Sequence, residues 1–214
     1  MSGGSQHVLV FCGGDAPRLD RVRSLPVDAF VVAADSGADY ALAAERRVDV
    51  LVGDLDSVAP ATLAAAERAG TRVVRHPRDK NATDLALALD LAVARAPQQI
   101  TVVGGHGGRL DHLVANVLLL ASDDYAGVPI DAQMGEATVT IVRGARTLRG
   151  APAQTVTLLA VAGPAVGVTT TGLRWPLRDA TVPDRSSLGV SNEFEVSTAS
   201  VTVRRGVLVA IQPG

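Results

Sequence analysis

Through the first half of the chain, short apolar runs alternate with Ala- and Leu-rich stretches, and Gly or Asp closes most of the runs. Residues 7–12 form the first run, followed by Gly13-Gly14-Asp15, and residues 28–34 repeat the plan before Asp35-Ser36-Gly37. Residues 50–53 and 71–75 continue it, and residues 100–103 lead into the Gly-rich segment 104–108. Uninterrupted runs of this length, rich in β-branched residues, predict buried strands. Between them, residues 38–47, 60–68, 84–96 and 110–121 carry helix formers. Pro60 stands where the second of these helices starts and Pro97 stops the third. Arg46 and Arg47 are expected in the last turn of the first, complementing its dipole. The alternation predicts an α/β fold with a mostly parallel sheet flanked by helices, of the doubly wound type.

Past about residue 130 the helical period disappears. Residues 137–142, 154–160, 166–171, 195–203 and 207–211 are rich in Val and Thr, and Arg143-Gly144, Gly163-Pro164, Gly172 and Arg205-Gly206 separate them. This punctuation predicts an antiparallel sandwich or barrel. The expected division is an α/β domain over 1–130 and a β-sandwich over 131–214, with the boundary between residues 127 and 137.

The loops after the first-half strands hold most of the acidic residues of interest. Asp35, Asp54 with Asp56, Asp79 with Asp84, and Asp111 stand on successive loops. In a parallel sheet those loops converge on the carboxyl edge, where open α/β folds bind ligands. Clustered carboxylates repel one another unless a cation neutralises them, and oxygen-only ligands suit Mg²⁺. Singly, each has a plain structural reading: Thr83 or Asp84 suffices as a helix cap, and Asp111 beside Arg109 as a local ion pair. The segment 104–108 offers backbone N–H groups ahead of a helix, a cradle for phosphate, although it lacks the Gly-Lys-Ser/Thr ending of a P-loop. Arg109 adds a guanidinium fork, with Arg78 and Lys80 on the facing loop. Together these are the parts for transfer from a nucleoside triphosphate. His76, His106 and His112 are too irregularly spaced for a zinc site. In the second half, Trp175 is either a core filler or a stacking platform for a flat or cationic ring. Ser191-Asn192-Glu193 supplies hydroxyl, amide and carboxylate in succession.

Composition narrows the function classes. Aromatics are only 3% of a chain that is 47% hydrophobic, so Ala, Val and Leu must build the core. A formal net charge of -2 with no basic cluster leaves no footprint for nucleic acid. No apolar run is long enough to cross a bilayer, and the start of the chain lacks the charged and apolar regions of a signal peptide. Cys12 is the single cysteine. It excludes an internal disulfide and a cysteine-based zinc site, and is expected as a small buried hydrophobe. A cytoplasmic protein is expected.

Taken in order, five segments resemble the thiamine pyrophosphokinase (thiamine diphosphokinase) family over essentially the full chain. They are Asp35-Ser36-Gly37-Ala38, Gly53-Asp54-Leu55-Asp56-Ser57 and Asp79-Lys80-Asn81-Ala82-Thr83-Asp84, then Gly107-Gly108-Arg109-Leu110-Asp111-His112 with Asn116, and Ser187-Leu188-Gly189-Val190-Ser191-Asn192-Glu193. The resemblance implies an N-terminal domain binding ATP and Mg²⁺, and a C-terminal sandwich binding thiamine. It implies a homodimer with active sites between the catalytic domain of one subunit and the sandwich of the other. The implied reaction converts ATP and thiamine to AMP and thiamine diphosphate. Asp54, Asp56 and Asp84 are the implied catalytic and metal-holding residues, with Asp35, Lys80, Thr83, Gly107, Gly108, Arg109 and Asp111 on the nucleotide side. Trp175, Ser191 and Asn192 are implied at thiamine. One departure stands out: the family usually carries an acidic residue where this chain has Asn81, an amide that can coordinate through oxygen but brings no charge. Two other readings fit fewer of these residues: a different Mg²⁺-dependent nucleotide-using transferase, and a non-catalytic thiamine sensor with no need of an acidic cluster.

Overall fold

The structure, a computed structural model, describes residues 6–79 and 81–214. It divides into two compact units. One holds the described residues up to Leu119 together with Ala132–Gly135; the other holds Leu120–Asp131 and Glu136–Gly214.

In the first unit, β1 (His7–Phe11), β2 (Phe30–Ala34), β3 (Val50–Gly53), β4 (Arg72–Arg75) and β5 (Gln99–Val103) form a parallel sheet in the order β4-β3-β2-β1-β5. The chain therefore steps outward from β1 to β4, then returns across the sheet to place β5 on the other side of β1. That reversal opens a crevice beyond the carboxyl ends of β1 and β5. Strand alternation sorts the core. Leu9, Phe11, Val31, Ala33 and Leu51 pack with Ala38, Ala41 and Ala44 of α2 (Gly37–Ala43) and its C-terminal cap. On β1, β2 and β3 also rests α4 (Asp84–Val93), which buries Leu85, Ala88, Leu89 and Ala92. A Cβ at Gly37 would overlap the Phe11 carbonyl, so glycine lets α2 start directly on β1.

Pro60 opens α3 (Pro60–Arg68) as the sequence predicts, and α5 spans Leu110–Leu120. A short helix, α1 (Leu19–Arg23), is one the apolar period does not reveal. The predicted helix over 38–47 ends early, and Arg46 is not at a helix terminus facing solvent. Glu45 takes φ 60°, and Arg46 turns inward, 7% exposed, donating to the carbonyls of Val22, Leu25 and Pro26. Those carbonyls outbid the dipole of a short helix because a buried guanidinium must be hydrogen-bonded.

In the second unit the strands are antiparallel. β7 (Ala137–Val142), β8 (Ala145–Arg149) and β9 (Thr155–Thr171) come first, after β6 (Ile130–Met134), whose residues 132–134 belong to the first unit. β10 (Ala180–Val182), β11 (Asn192–Glu193), β12 (Thr198–Thr202) and β13 (Arg205–Gln212) complete the set. β13 lies between β7 and β9, and β12 between β9 and β8. The sequence pattern splits β9 at Gly163-Pro164, yet it is one bent strand. Ala162 (φ 57°) and Gly163 (φ 120°) turn the backbone, and β13 shifts register opposite. Pro164 sits at this irregularity, where its lack of an N–H is tolerated. The bend lets β9 pair with β13 at one end and β12 at the other. Phe194, Leu158, Leu173 and Leu208 fill the core that results.

Candidate active site

The acidic cluster is built from the loops after β2 and β3 and the start of α4. Leu55 stands between Asp54 and Asp56 with φ 64°, and its side chain is buried in the α2 core. Burying that one residue leaves the carboxylates on either side of it outside the core. The Asp35 carboxylate accepts the Leu55 N–H at 2.9 Å, and Asp54 accepts the Asp56 N–H at 3.1 Å. Carboxylate oxygens of Asp35, Asp54 and Asp56 lie within 4.8 Å of one another. Thr83 caps α4, its hydroxyl accepting the Ala86 N–H at 3.2 Å, which leaves Asp84 to face the cluster. Asp84 hydrogen-bonds Asp35. Gly53 makes room for this: a Cβ there would overlap the Asp35 carboxylate and lie 3.0 Å from Asp84 Oδ1.

Such crowding shifts ionisation. Asp35 is pushed up to about 6, chiefly by burial and further by the charges of Asp84 and Asp54, against the lowering effect of the Leu55 N–H. Arg78 reaches the cluster from outside, 3.6 Å from Asp56. The donors are all carboxylate oxygens held close together, which fits a hard divalent cation. The geometric trio is Asp35, Asp54 and Asp56, with Asp84 behind Asp35. Asn81 is exposed on the neighbouring loop. Lys80 lies outside the described residues.

Beside the cluster a cleft of about 450 Å³ occupies the crevice between β1 and β5. Asp35, Thr83 and Asp84 line it, as do residues 105–109 and residues 12–15. The two turns interlock. The Gly105 N–H donates to the Gly13 carbonyl at 2.8 Å and the Asp15 N–H to the His106 carbonyl at 2.8 Å. Gly14 could carry no side chain, since its Cβ would overlap His106 O. Gly107 and Gly108 take φ 85° and 59°, in the left-handed region that glycine enters without a steric penalty. Arg109 is exposed and pairs with Asp111, its Nε 3.2 Å from Oδ1; this hydrogen bond holds the Asp111 carboxyl below its ordinary value. The pattern of candidate residues passes over the turn after β1 and over Ser36 and Ser57, all of which line the cleft. The signal for them was present: each follows a parallel strand. Cys12 is buried there as expected, and burial pushes its thiol up to about 12, leaving no reactive thiolate.

In the second unit, Trp175, Ser191 and Asn192 come together. Asn192 is buried, its Oδ1 accepting the Trp175 N–H at 3.1 Å while its Nδ2 donates to the Trp175 carbonyl at 2.8 Å. Trp175 itself is 51% exposed. The Arg174 guanidinium lies 4.9 Å from the ring centroid and is held by Glu193 at 2.8 Å. Ser191 takes φ 56°, its N–H donating to Thr157 Oγ1 at 3.0 Å and its side chain exposed. A ring this exposed is not a core filler, and its apolar surface is open to solvent.

Comparison with known proteins agrees with both halves. Residues 24–130 match the model of the thiamin pyrophosphokinase catalytic domain, and residues 141–208 that of the thiamin pyrophosphokinase vitamin B1 binding domain. Thiamine pyrophosphokinase of Bacillus subtilis is 29% identical over 174 residues, 75% of this chain and 76% of that protein. Thiamin pyrophosphokinase from Geobacillus thermodenitrificans superimposes with a TM-score of 0.81 at 28% identity, covering 97% of each chain. The Bacillus subtilis crystal structure gives 0.83 at 23% identity, over 96% of this chain and 98% of that one. The two domain models lie in tandem, in the order of the two sequence patterns, and this chain belongs to the thiamin pyrophosphokinase family.

Proposed function

We propose that the Asp35–Asp54–Asp56–Asp84 cluster and the adjoining glycine turns handle the triphosphate of ATP, and that Trp175 with Ser191 and Asn192 receives thiamine. The family's reaction is pyrophosphoryl transfer from ATP to thiamine, giving AMP and thiamine diphosphate. The observation that carries the residue assignment is the placement of a carboxylate cluster beside a glycine-rich cleft at the point where strand order reverses.

The thiamine hydroxyl oxygen forms a bond to the β-phosphorus, the bond from that phosphorus to the α–β bridging oxygen breaks, and AMP leaves. The hydroxyl proton passes to a carboxylate, Asp54 or Asp84. Backbone N–H groups of residues 107 and 108 and the Arg109 guanidinium bind phosphate oxygens, and Lys80 and Thr83 are assigned to the same group of contacts, with Asp111 holding Arg109. Mg²⁺ would be held by Asp54 and Asp56 with Asp35 and Asp84, where it supplies positive charge to the phosphates. The Trp175 face takes the cationic thiazolium or the aminopyrimidine, and Asn192 acts by fixing the Trp175 backbone.

The proposed assembly is a homodimer in which the ATP-handling unit of one subunit meets the thiamine-binding unit of the other. Supporting it is the outer face of α5, where Leu110, Val114 and Leu118 are 73%, 50% and 52% exposed at helical spacing. Among the described residues no helix is long and apolar enough to cross a membrane. A cytoplasmic site of action fits the demand for ATP and is tested by cell fractionation. The direct test of function is incubation with ATP, Mg²⁺ and thiamine, followed by chromatography. Stoichiometric AMP and thiamine diphosphate are expected; ADP as the nucleotide product, or no thiamine-dependent product, would overturn the reading.

A further inference from the structure

Helix α5 carries its polarity on an unexpected side. While Leu110, Val114 and Leu118 face outward, Asn116 is half-buried, and its Nδ2 donates to the Gly105 carbonyl at 2.9 Å. Withdrawing an amide from water is unfavourable unless it is hydrogen-bonded, and the Gly105 carbonyl supplies that bond.

Gly105 lies in a turn whose glycines at 104, 105, 107 and 108 all take positive φ. A glycine path of this kind is wide in conformational space and has no ladder of its own. Its shape comes from tethers. Gly104 N–H donates to the Gln133 carbonyl at 3.0 Å, Gly105 N–H to Gly13, and the His106 carbonyl accepts from Asp15. Asn116 adds a side-chain tether to these backbone ones, at the middle of the turn. The 105–106 peptide is planar, so turning its carbonyl toward Asn116 fixes the opposite direction for the His106 N–H. A Cβ at Gly105 would sit 3.1 Å from Asn116 Nδ2, so the fit leaves little slack.

We infer that Asn116 is a positioning residue for the phosphate-binding turn. By holding the Gly105 carbonyl, it selects the turn conformation that presents backbone N–H groups to the cleft, and so it governs ATP affinity while leaving thiamine affinity alone. The inference rests on the assignment of this cleft to the ATP phosphates.

The test uses Asn116→Leu, which keeps similar volume and removes the donor, and Asn116→Asp, which is isosteric and donates only when protonated. Binding of a non-hydrolysable ATP analogue is measured by calorimetry on the full chain, and KM for ATP and thiamine by turnover. At about pH 8, where an aspartate is ionised, both variants should weaken analogue binding and raise the ATP KM about tenfold, the factor expected for one lost hydrogen bond. The thiamine KM should stay at the wild-type value. On lowering the pH to about 5, where the carboxyl begins to regain its proton, the Asn116→Asp deficit relative to wild type should shrink and the Asn116→Leu deficit persist. Wild-type analogue affinity in both variants would overturn the inference, as would equal loss for both substrates. So would loss of folded protein in both, since Asn116 would then hold the domain and not the turn. A wild-type protein that binds the analogue but forms no AMP would count against the proposed reaction alone.

Discussion

The side-chain amide of Asn192 spans the backbone of Trp175, accepting from its N–H at 3.1 Å and donating to its carbonyl at 2.8 Å. The ring is therefore presented by a neighbour that is itself buried. Asn192→Ala should raise the thiamine KM several-fold, and Trp175→Ala about tenfold or more, as expected for loss of a cation–π and stacking surface. The ATP KM should not move in either. Trp175 is the only tryptophan, so thiamine should quench the intrinsic fluorescence of the wild type, and a wild type whose emission ignores thiamine would remove Trp175 from the site.

Asp54→Asn and Asp56→Asn should each abolish turnover while leaving the far-ultraviolet circular dichroism unchanged. Removing one of the crowded charges should also raise the melting temperature of the metal-free protein. Turnover near the wild-type level at saturating Mg²⁺ would exclude the substituted residue from the catalytic set.

The cluster has a signature in pH. Asp35 has its folded pKa raised from 3.8 to about 6, so the native state binds more protons than the unfolded chain between those values. Its contribution to stability is fully present below pH 3.8 and is lost as the pH rises through 6. In EDTA, Asp35→Asn should therefore be more stable than wild type at pH 7, and this advantage should fade on acidification toward pH 4, as read from urea midpoints. Asparagine retains an oxygen for the Leu55 N–H, so a lower midpoint at neutral pH would refute this account.

Asn81 supplies no charge where the resemblance leads one to expect an acid. Asn81→Asp should lower the Mg²⁺ concentration needed for half-maximal activity. An unchanged titration would place position 81 outside the metal's surroundings.

A shared active site makes a distinctive prediction for mixtures. Asp54→Asn should be inactive as a pure dimer, and the double variant Trp175→Ala/Asn192→Ala nearly so when thiamine is held far below its raised KM. After subunit exchange, one site of each heterodimer collects both defects and the other carries none. Activity should rise to about a quarter of the wild-type level for random exchange in a two-fold dimer. Silence from a mixture shown by mass spectrometry to contain heterodimers would sink the shared site.

Much of the first unit is legible in sequence because its loops fall where the apolar runs stop, and Pro60 marks a helix start directly. The loop at Asp54–Asp56 is located in the same way. Other features are invisible for physical reasons. Asp35, Leu55 and Ser191 adopt positive φ without being glycine, a conformation imposed by surrounding contacts that leaves no mark in residue type. β9 reads as two strands because Gly163-Pro164 is ordinarily a turn, and only the register shift of its partner accommodates it. Arg46 reads as a surface charge, since the carbonyls that draw it inward come from residues about twenty positions earlier in the chain. The outward stripe of α5 reads simply as apolar, for a sequence cannot tell a face that meets the sheet from one that meets solvent.

Leu55 ties the two aspartates beside it to the same packed interior as Phe11 and Ala38. The site and the domain therefore form a single cooperative unit: no local opening can part Asp54 from Asp56 without withdrawing Leu55 from the core. Amide hydrogens at 54–56 should accordingly exchange with deuterium on the slow timescale of the central strands, in a stretch that looks from outside like an ordinary surface loop.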